Sequence, residues 1–199
     1  MALVIGLTGS IASGKSTVSL MFDEFQIPVV DADKIAREVV YPGEEAYNKI
    51  IETFGIHVLR EDRTLNRKKL GELVFDDPEK LEALNQIVHP AIRKSIIEKR
   101  DGFIQSGALC VVLDIPLLFE SNLTNFVDKT IVVYVDEDVQ LQRLMERDEF
   151  SESEALKRVR SQMPVKEKAN LADAVINNNS SKTVSFEQLE DILRKWDVI

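Results

Sequence analysis

Residues 3–18 read LVIGLTGSIASGKSTV. The apolar run Leu3-Val4-Ile5-Gly6-Leu7 leads into Gly9-Ser10-Ile11-Ala12-Ser13-Gly14-Lys15-Ser16, a complete GxxxxGKS loop, with Thr17 after it. Strand, glycine-rich turn and helix, in that order, are what main-chain phosphate binding requires. The N–H groups from about Ile11 to Lys15 are expected to surround a β-phosphate. The helix opening near Lys15 adds the positive end of its dipole. Lys15 is suited to bridge β- and γ-phosphates, and the Ser16 hydroxyl to ligate Mg²⁺. A tight turn using glycine only for its shape would not need Lys15 and Ser16 after Gly14.

Outward from this loop, apolar patterning alternates strand and helix, which implies an α/β chain with a mostly parallel sheet and helices on both faces. Five strands are expected, near residues 3–8, 27–30, 109–113, 130–135 and 174–176. Helices are expected over 15–25, 32–40, up to about 147, from 151, and over 185–196. Glu154, three residues after Ser151, makes a capping box there. Pro42-Gly43 breaks the second helix. Residues 44–108 are helical in pattern and too long for a simple crossover, so they read as an insertion capping the substrate side of the sheet. Within it, His89 precedes Pro90 and a fresh helix is expected to start there, with Arg93 one turn inside.

Composition narrows the function classes. A chain of 199 residues with 44% hydrophobic content holds one full α/β core and a smaller excursion. A formal net charge of −9 without a sustained basic stripe argues against a nucleic-acid partner. Cys110 is the single cysteine, so no internal disulfide is possible, and a reduced, cytoplasmic setting is the expectation. The N-terminal apolar run has no basic leader and reads as a strand, and no segment has the length to span a membrane.

Four further groups carry chemistry. Asp114 ends the apolar run Cys110-Val111-Val112-Leu113, where a carboxylate can hold Mg²⁺ directly or through water, or can merely cap the next turn. Asp31 and Asp33 close the second strand. Asp33 is the preferred general base for an acceptor hydroxyl, the alternative being that both aspartates cap the next helix. Arg143 and Arg147 lie four apart on one helical face, followed by Lys157, Arg158, Arg160, Lys166 and Lys168. They can stabilise charge in phosphoryl transfer, Arg147 first, or form a solvated basic face. His89 and Arg93 are candidates for a substrate phosphate, or structural residues.

The ordered set of elements resembles the dephospho-coenzyme A kinase family over essentially the whole chain. The elements are IGLTGSIASGKSTV (5–18), VVDADKIAREVV (29–40), His89-Pro90 with Ile92-Arg93, DIPLLFE (114–120), Arg143 with Arg147-Asp148, Arg160-Ser161-Gln162, and ADAVINNNSS from Ala172. The resemblance implies transfer of the ATP γ-phosphate to the ribose 3′-hydroxyl of dephospho-coenzyme A, with Mg²⁺, as the final step of coenzyme A synthesis. It implies a P-loop three-layer fold with a five-stranded parallel sheet, as a single kinase domain over 1–199. The nucleotide-binding core is 1–43, 109–140 and 172–199, the helical acceptor-binding insertion is 44–108, and a small helical lid is 141–171. Lys15, Asp33, Arg147 and Arg143 fall on its catalytic positions, Phe119 and Glu120 in its acceptor-side signature, and Asn178 in the loop on the adenine side. Many relatives place a glycine after the asparagines, where this chain has Ser180. No obligate protein partner is evident. A GTPase would need NKxD and DxxG, and neither is present. A P-loop kinase of another small hydroxyl acceptor, such as a nucleoside or nucleotide, is the alternative.

Overall fold

The computed structural model describes residues 2–199; Met1, part of the expected core, lies outside the described residues. The chain runs through β1 (Leu3–Gly9), α1 (Lys15–Met21), β2 (Val29–Asp31), α2 (Ala32–Glu38), α3 (Glu45–Phe54), α4 (Arg67–Phe75) and α5 (Pro78–Gln105). It continues through β3 (Cys110–Asp114), β4 (Lys129–Tyr134), α6 (Glu137–Asp148), α7 (Glu152–Arg160), α8 (Val165–Leu171), β5 (Ala174–Asn177) and α9 (Lys182–Lys195). All five expected strands are present, in one parallel sheet of order β2-β3-β1-β4-β5.

Two compact units divide the chain. One comprises the residues up to Val30 together with Gly102–Ile199, the other Asp31–Asp101. In the first, β1 is central and pairs with β3 from Leu3 opposite Cys110 and with β4 from Ile5 opposite Lys129. Strands covered on both faces need apolar residues at every position rather than alternate ones, and β3 is buried throughout. One face of the sheet packs Ile5, Leu7, Val112, Ile131, Val133 and Ile176 against Val18, Phe22, Leu189 and Leu193 of the flanking helical segments. Burying Phe22 fully contributes about 1.5–3 kcal/mol. On the other face Gly6 admits the segment after β3: a Cβ there would meet Leu118 Cδ2 at 2.8 Å and Val127 at 3.2 Å. Cys110 lies within the core, and burial pushes its thiol up to about 12, so it is protonated at neutral pH.

The second unit is helical. Ala46, Tyr47, Ile50 and Phe54 form the buried face of α3. The Tyr47 hydroxyl donates to the Arg63 carbonyl at 2.5 Å, and Lys99 pairs with Glu38 at 2.5 Å.

Several boundaries differ from the sequence expectation. The first helix tightens into a 3₁₀ turn at Phe22–Phe25, closed by Gln26 in the left-handed region at φ 55°. The last helix starts at Lys182, because Ser181 accepts from the Val184 N–H and caps it there. The fresh helix expected after His89 does not exist: α5 runs unbroken through Pro90. Proline removes one N–H, the donor to Gln86, and Gln86 is exposed, so water can take that carbonyl. His89 and Arg93 are therefore mid-helix, one turn apart and both exposed.

Candidate active site

The phosphate loop follows β1 at the C-terminal edge of the sheet, where parallel strands present their ligands. Ala12 and Gly14 adopt left-handed backbone at φ 57° and 86°. The turn leaves its donors open: among the described residues, no partner is supplied to the N–H groups of Ala12, Gly14, Lys15 or Ser16. Ser13 donates to the Ser10 carbonyl, and Thr17 and Val18 to that of Gly14. Four uncommitted amides at a helix N-terminus form an anion cradle. Ile11 stands apart from this set, because its N–H donates to Gln162 Oε1 at 2.8 Å.

Asn178 supports the same loop from behind. Its Nδ2 donates to the Ser13 carbonyl and its Oδ1 accepts from Ser185 Oγ, both at 2.8 Å, and the residue is buried. Its side-chain amide is thus committed to the loop, and its backbone N–H donates to the Tyr134 carbonyl at 2.8 Å. A Cβ on Gly14 would sit 2.1 Å from Asn178 Nδ2, so packing as well as backbone conformation demands glycine there.

Lys15 forms an ion pair with Asp114, the last residue of β3, and both side chains are largely buried. The contact brings the loop and the strand-end carboxylate together. Ser16 is exposed one residue on. Among the described residues, no cluster of three or more His, Cys, Asp and Glu forms a metal cage. One hydroxyl and one carboxylate beside a phosphate cradle suit a hard cation that takes its remaining ligands from phosphates and water.

Asp31 and Asp33 separate by local geometry. Asp31 caps α2 by accepting from the Lys34 N–H at 2.9 Å. Asp33, in the first turn and exposed, engages no hydrogen-bond or ion-pair partner among the described residues.

Arg147 is exposed on α6 and makes a bidentate bond to Asp148, with both contacts at 2.8 Å. That hydrogen bond raises its pKa further, so it stays charged, and holds the Asp148 carboxyl below its usual range. Seven residues earlier on the same face, about 10 Å along the helix axis, Gln140 Nε2 donates to the Ile11 carbonyl at 2.7 Å. Arg143 is half-buried and makes no ion pair among the described residues. The expected Ser151–Glu154 capping box is formed, and the Arg158 guanidinium lies 4.3 Å above the Phe150 ring.

Glu120 and Phe119 face different surroundings. Glu120 Oε1 accepts from the Met163 N–H at 3.2 Å and pairs with Lys168 at 2.8 Å. Phe119 instead lines a cleft of about 370 Å³ with Val127, Thr130 and Asp173, at the N-terminal edge of β4 and β5. The chain after β3 turns back along the sheet: Thr8 Oγ1 donates to the Pro116 carbonyl, and Asp128 caps the Val4 N–H. Neighbours in that segment therefore diverge, which the DIPLLFE string does not reveal.

Lys168, expected to be part of a basic arm, is fully buried and donates to the Pro116 carbonyl at 3.0 Å. Lys168→Met is expected to lower the melting temperature by on the order of 10 °C, since breaking a buried pair costs roughly 3–5 kcal/mol. Adding Glu120→Gln recovers part of that loss. Calorimetry of both variants checks this, and an unchanged midpoint for Lys168→Met contradicts it. Gln140, Gln162 and Met163, which contact the phosphate loop at Ile11 and Ser10, are candidate site residues that the sequence did not single out. Only Gln162 carried a signal, inside Arg160-Ser161-Gln162.

Comparison with known proteins gives the family. The sequence model described as dephospho-CoA kinase matches residues 3–183. A dephospho-CoA kinase of Oceanobacillus iheyensis is 58% identical over 198 residues, covering 100% of both chains. The crystal structure of TT1252 from Thermus thermophilus superposes with a TM-score of 0.82 at 34% identity, covering 98% of this chain and 97% of that one. Dephospho-CoA kinase from Campylobacter jejuni superposes with a TM-score of 0.75 at 30% identity, covering 98% of each. A match of that extent, on a chain with an open phosphate cradle and a lysine–aspartate pair beneath it, places this protein in the dephospho-CoA kinase family.

Proposed function

We infer that the chain transfers the γ-phosphate of ATP to the ribose 3′-hydroxyl of dephospho-coenzyme A, giving coenzyme A and ADP at the last step of coenzyme A synthesis. The observation that carries this reading is the family match over residues 3–183, on a chain whose phosphate loop leaves four amides uncommitted among the described residues.

The residues divide the work. Within the Gly9–Thr17 loop, Ala12, Gly14, Lys15 and Ser16 cradle the phosphates through their main-chain N–H groups, with Ile11 held aside. Lys15 turns from Asp114 to the phosphate oxygens and offsets charge that builds on them in transfer. Arg147, and Arg143 behind it, add positive charge from α6. Asp33 accepts the proton of the 3′-hydroxyl as its oxygen bonds to phosphorus and the bond from phosphorus to the ADP oxygen breaks. His89 and Arg93, on one face of α5, are assigned to the acceptor's phosphates, and Glu120 to the acceptor side. Ser16 and Asp114 would hold Mg²⁺, which supplies charge neutralisation between the phosphates. In this division, residues 44–108 serve as acceptor-binding insertion and 141–171 as lid. Among the described residues, no helix is long and apolar enough to cross a membrane.

The test is ADP release from purified protein with ATP and Mg²⁺, with and without dephospho-coenzyme A, with the product identified by mass. Acceptor-dependent ADP release with a product heavier by one phosphoryl group is the expected result. ATP binding without acceptor dependence overturns the assignment and points to another hydroxyl acceptor.

A further inference from the structure

Among the described residues, Ile11 is the one phosphate-loop residue whose N–H and carbonyl are both taken by side chains from distant parts of the sequence. Gln162 Oε1 receives its N–H at 2.8 Å, and Gln140 Nε2 donates to its carbonyl at 2.7 Å. Donor meets acceptor on each side, so the two amides act as opposite jaws. Gln140 is almost fully buried, where an amide left without partners is costly.

The jaws are anchored. Between α7 and α8, Met163 accepts from Ser10 Oγ through its carbonyl at 3.2 Å and donates its N–H to Glu120 Oε1 at 3.2 Å. Glu120 is held by Lys168, which also grips the Pro116 carbonyl, two residues beyond Asp114. The α7–α8 connector thus ties the phosphate loop to the segment following β3, the two sides of the Lys15–Asp114 pair.

The loop has reason to need holding. Ala12, next to Ile11, sits at φ 57°, a region that favours glycine, and its N–H is one of the four left open. With both polar groups of Ile11 fixed, the Ile11–Ala12 peptide loses its freedom to rotate away from that conformation.

We propose that Gln162 and Gln140 are positioning residues that clamp Ile11 and so hold the phosphate cradle in its nucleotide-binding shape. The triphosphate of the donor is the ligand whose affinity they set. This rests on the kinase reading for its kinetic arm, whereas direct nucleotide binding tests the clamp without it.

The experiment measures ATP binding by calorimetry, KM for each substrate, kcat and melting temperature in Gln162→Ala, Gln140→Ala and the double variant. Each single variant is expected to weaken ATP binding and raise KM for ATP by about tenfold, the scale of one lost hydrogen bond. KM for dephospho-coenzyme A stays within about twofold, since the acceptor is bound elsewhere. Because both jaws hold one residue, the double variant is expected to weaken ATP binding by less than the product of the single effects. Gln162→Glu keeps an acceptor for the Ile11 N–H but adds negative charge beside the cradle. It retains the melting temperature of the parent and regains ATP affinity as salt is raised. Unchanged ATP affinity in folded Gln162→Ala and Gln140→Ala overturns the proposal. So does a loss that falls equally on both substrates and tracks melting temperature, which marks a purely structural role. If Gln162→Ala does not fold, Gln140→Ala and Gln162→Glu decide by the same criteria. If the parent binds ATP but does not phosphorylate dephospho-coenzyme A, the function fails, and the binding data still judge the clamp.

Discussion

Lys15→Ala lowers acceptor-dependent phosphoryl transfer by about 10³-fold, the scale for removing a preorganised charge from the transition state. Lys15 is the cation inside the loop and its side chain is 14% exposed, so water does not readily replace it. The same change leaves the buried Asp114 carboxylate without its ammonium, which adds a stability loss of roughly 3–5 kcal/mol. The two effects separate in the double variant Lys15→Ala/Asp114→Asn. There the Asp114 charge is gone as well, so the melting temperature rises again while activity stays low. Steady-state kinetics and thermal melting on the same samples check this. Turnover near the parent rate in Lys15→Ala, or recovery of activity with stability in the double variant, contradicts the role given to Lys15.

Asp33→Asn lowers kcat by roughly 10²–10⁴, the range for loss of a general base, and leaves ATP affinity unchanged. The asymmetry follows from placement. Asp31 spends its carboxylate on the Lys34 N–H, whereas Asp33 is exposed in the next turn with no such commitment. Asparagine keeps size and polarity and loses only the ability to take a proton, so the fold is expected to change by no more than about 0.5 kcal/mol. Asp31→Asn serves as the contrast, because asparagine caps a helix as well as aspartate does. Equal kcat for Asp33→Asn and the parent, or an equal drop in both variants, removes Asp33 from the reaction.

The inner strands β1, β3 and β4 were legible because strands covered on both faces write themselves as unbroken apolar runs, and the shorter apolar runs at the edges, β2 and β5, are strands too though only partly buried. The glycine-rich turn was legible because its conformation demands particular residues at fixed spacing. The helix boundaries were less so. Pro90 reads locally as a helix start, yet α5 passes through it: Gln86, whose carbonyl loses its donor, is an exposed residue, and the turns on either side continue the helix. Lys168 reads as part of a basic face, yet it is fully buried and tied to Glu120 and Pro116. Nothing in a charge pattern distinguishes a solvated lysine from one folded beneath a loop.

The candidate site divides in the same way. The phosphate loop, the carboxylate at the end of β3, Asp31 and Asp33 around the end of β2 and the arginines of α6 could all be read from the chain alone, because each is a short-range pattern with its own chemistry. Only the tertiary structure decided what each of them touches. It paired Lys15 with Asp114 and turned Phe119 away from Glu120. It placed the Asn178 amide behind Ser13 and closed Gln140 and Gln162 on Ile11. The Asn178, Gln162 and Gln140 contacts join residues more than a hundred positions apart, and the Lys15–Asp114 pair residues 99 apart. They depend on where the sheet returns each segment, and no local pattern encodes that.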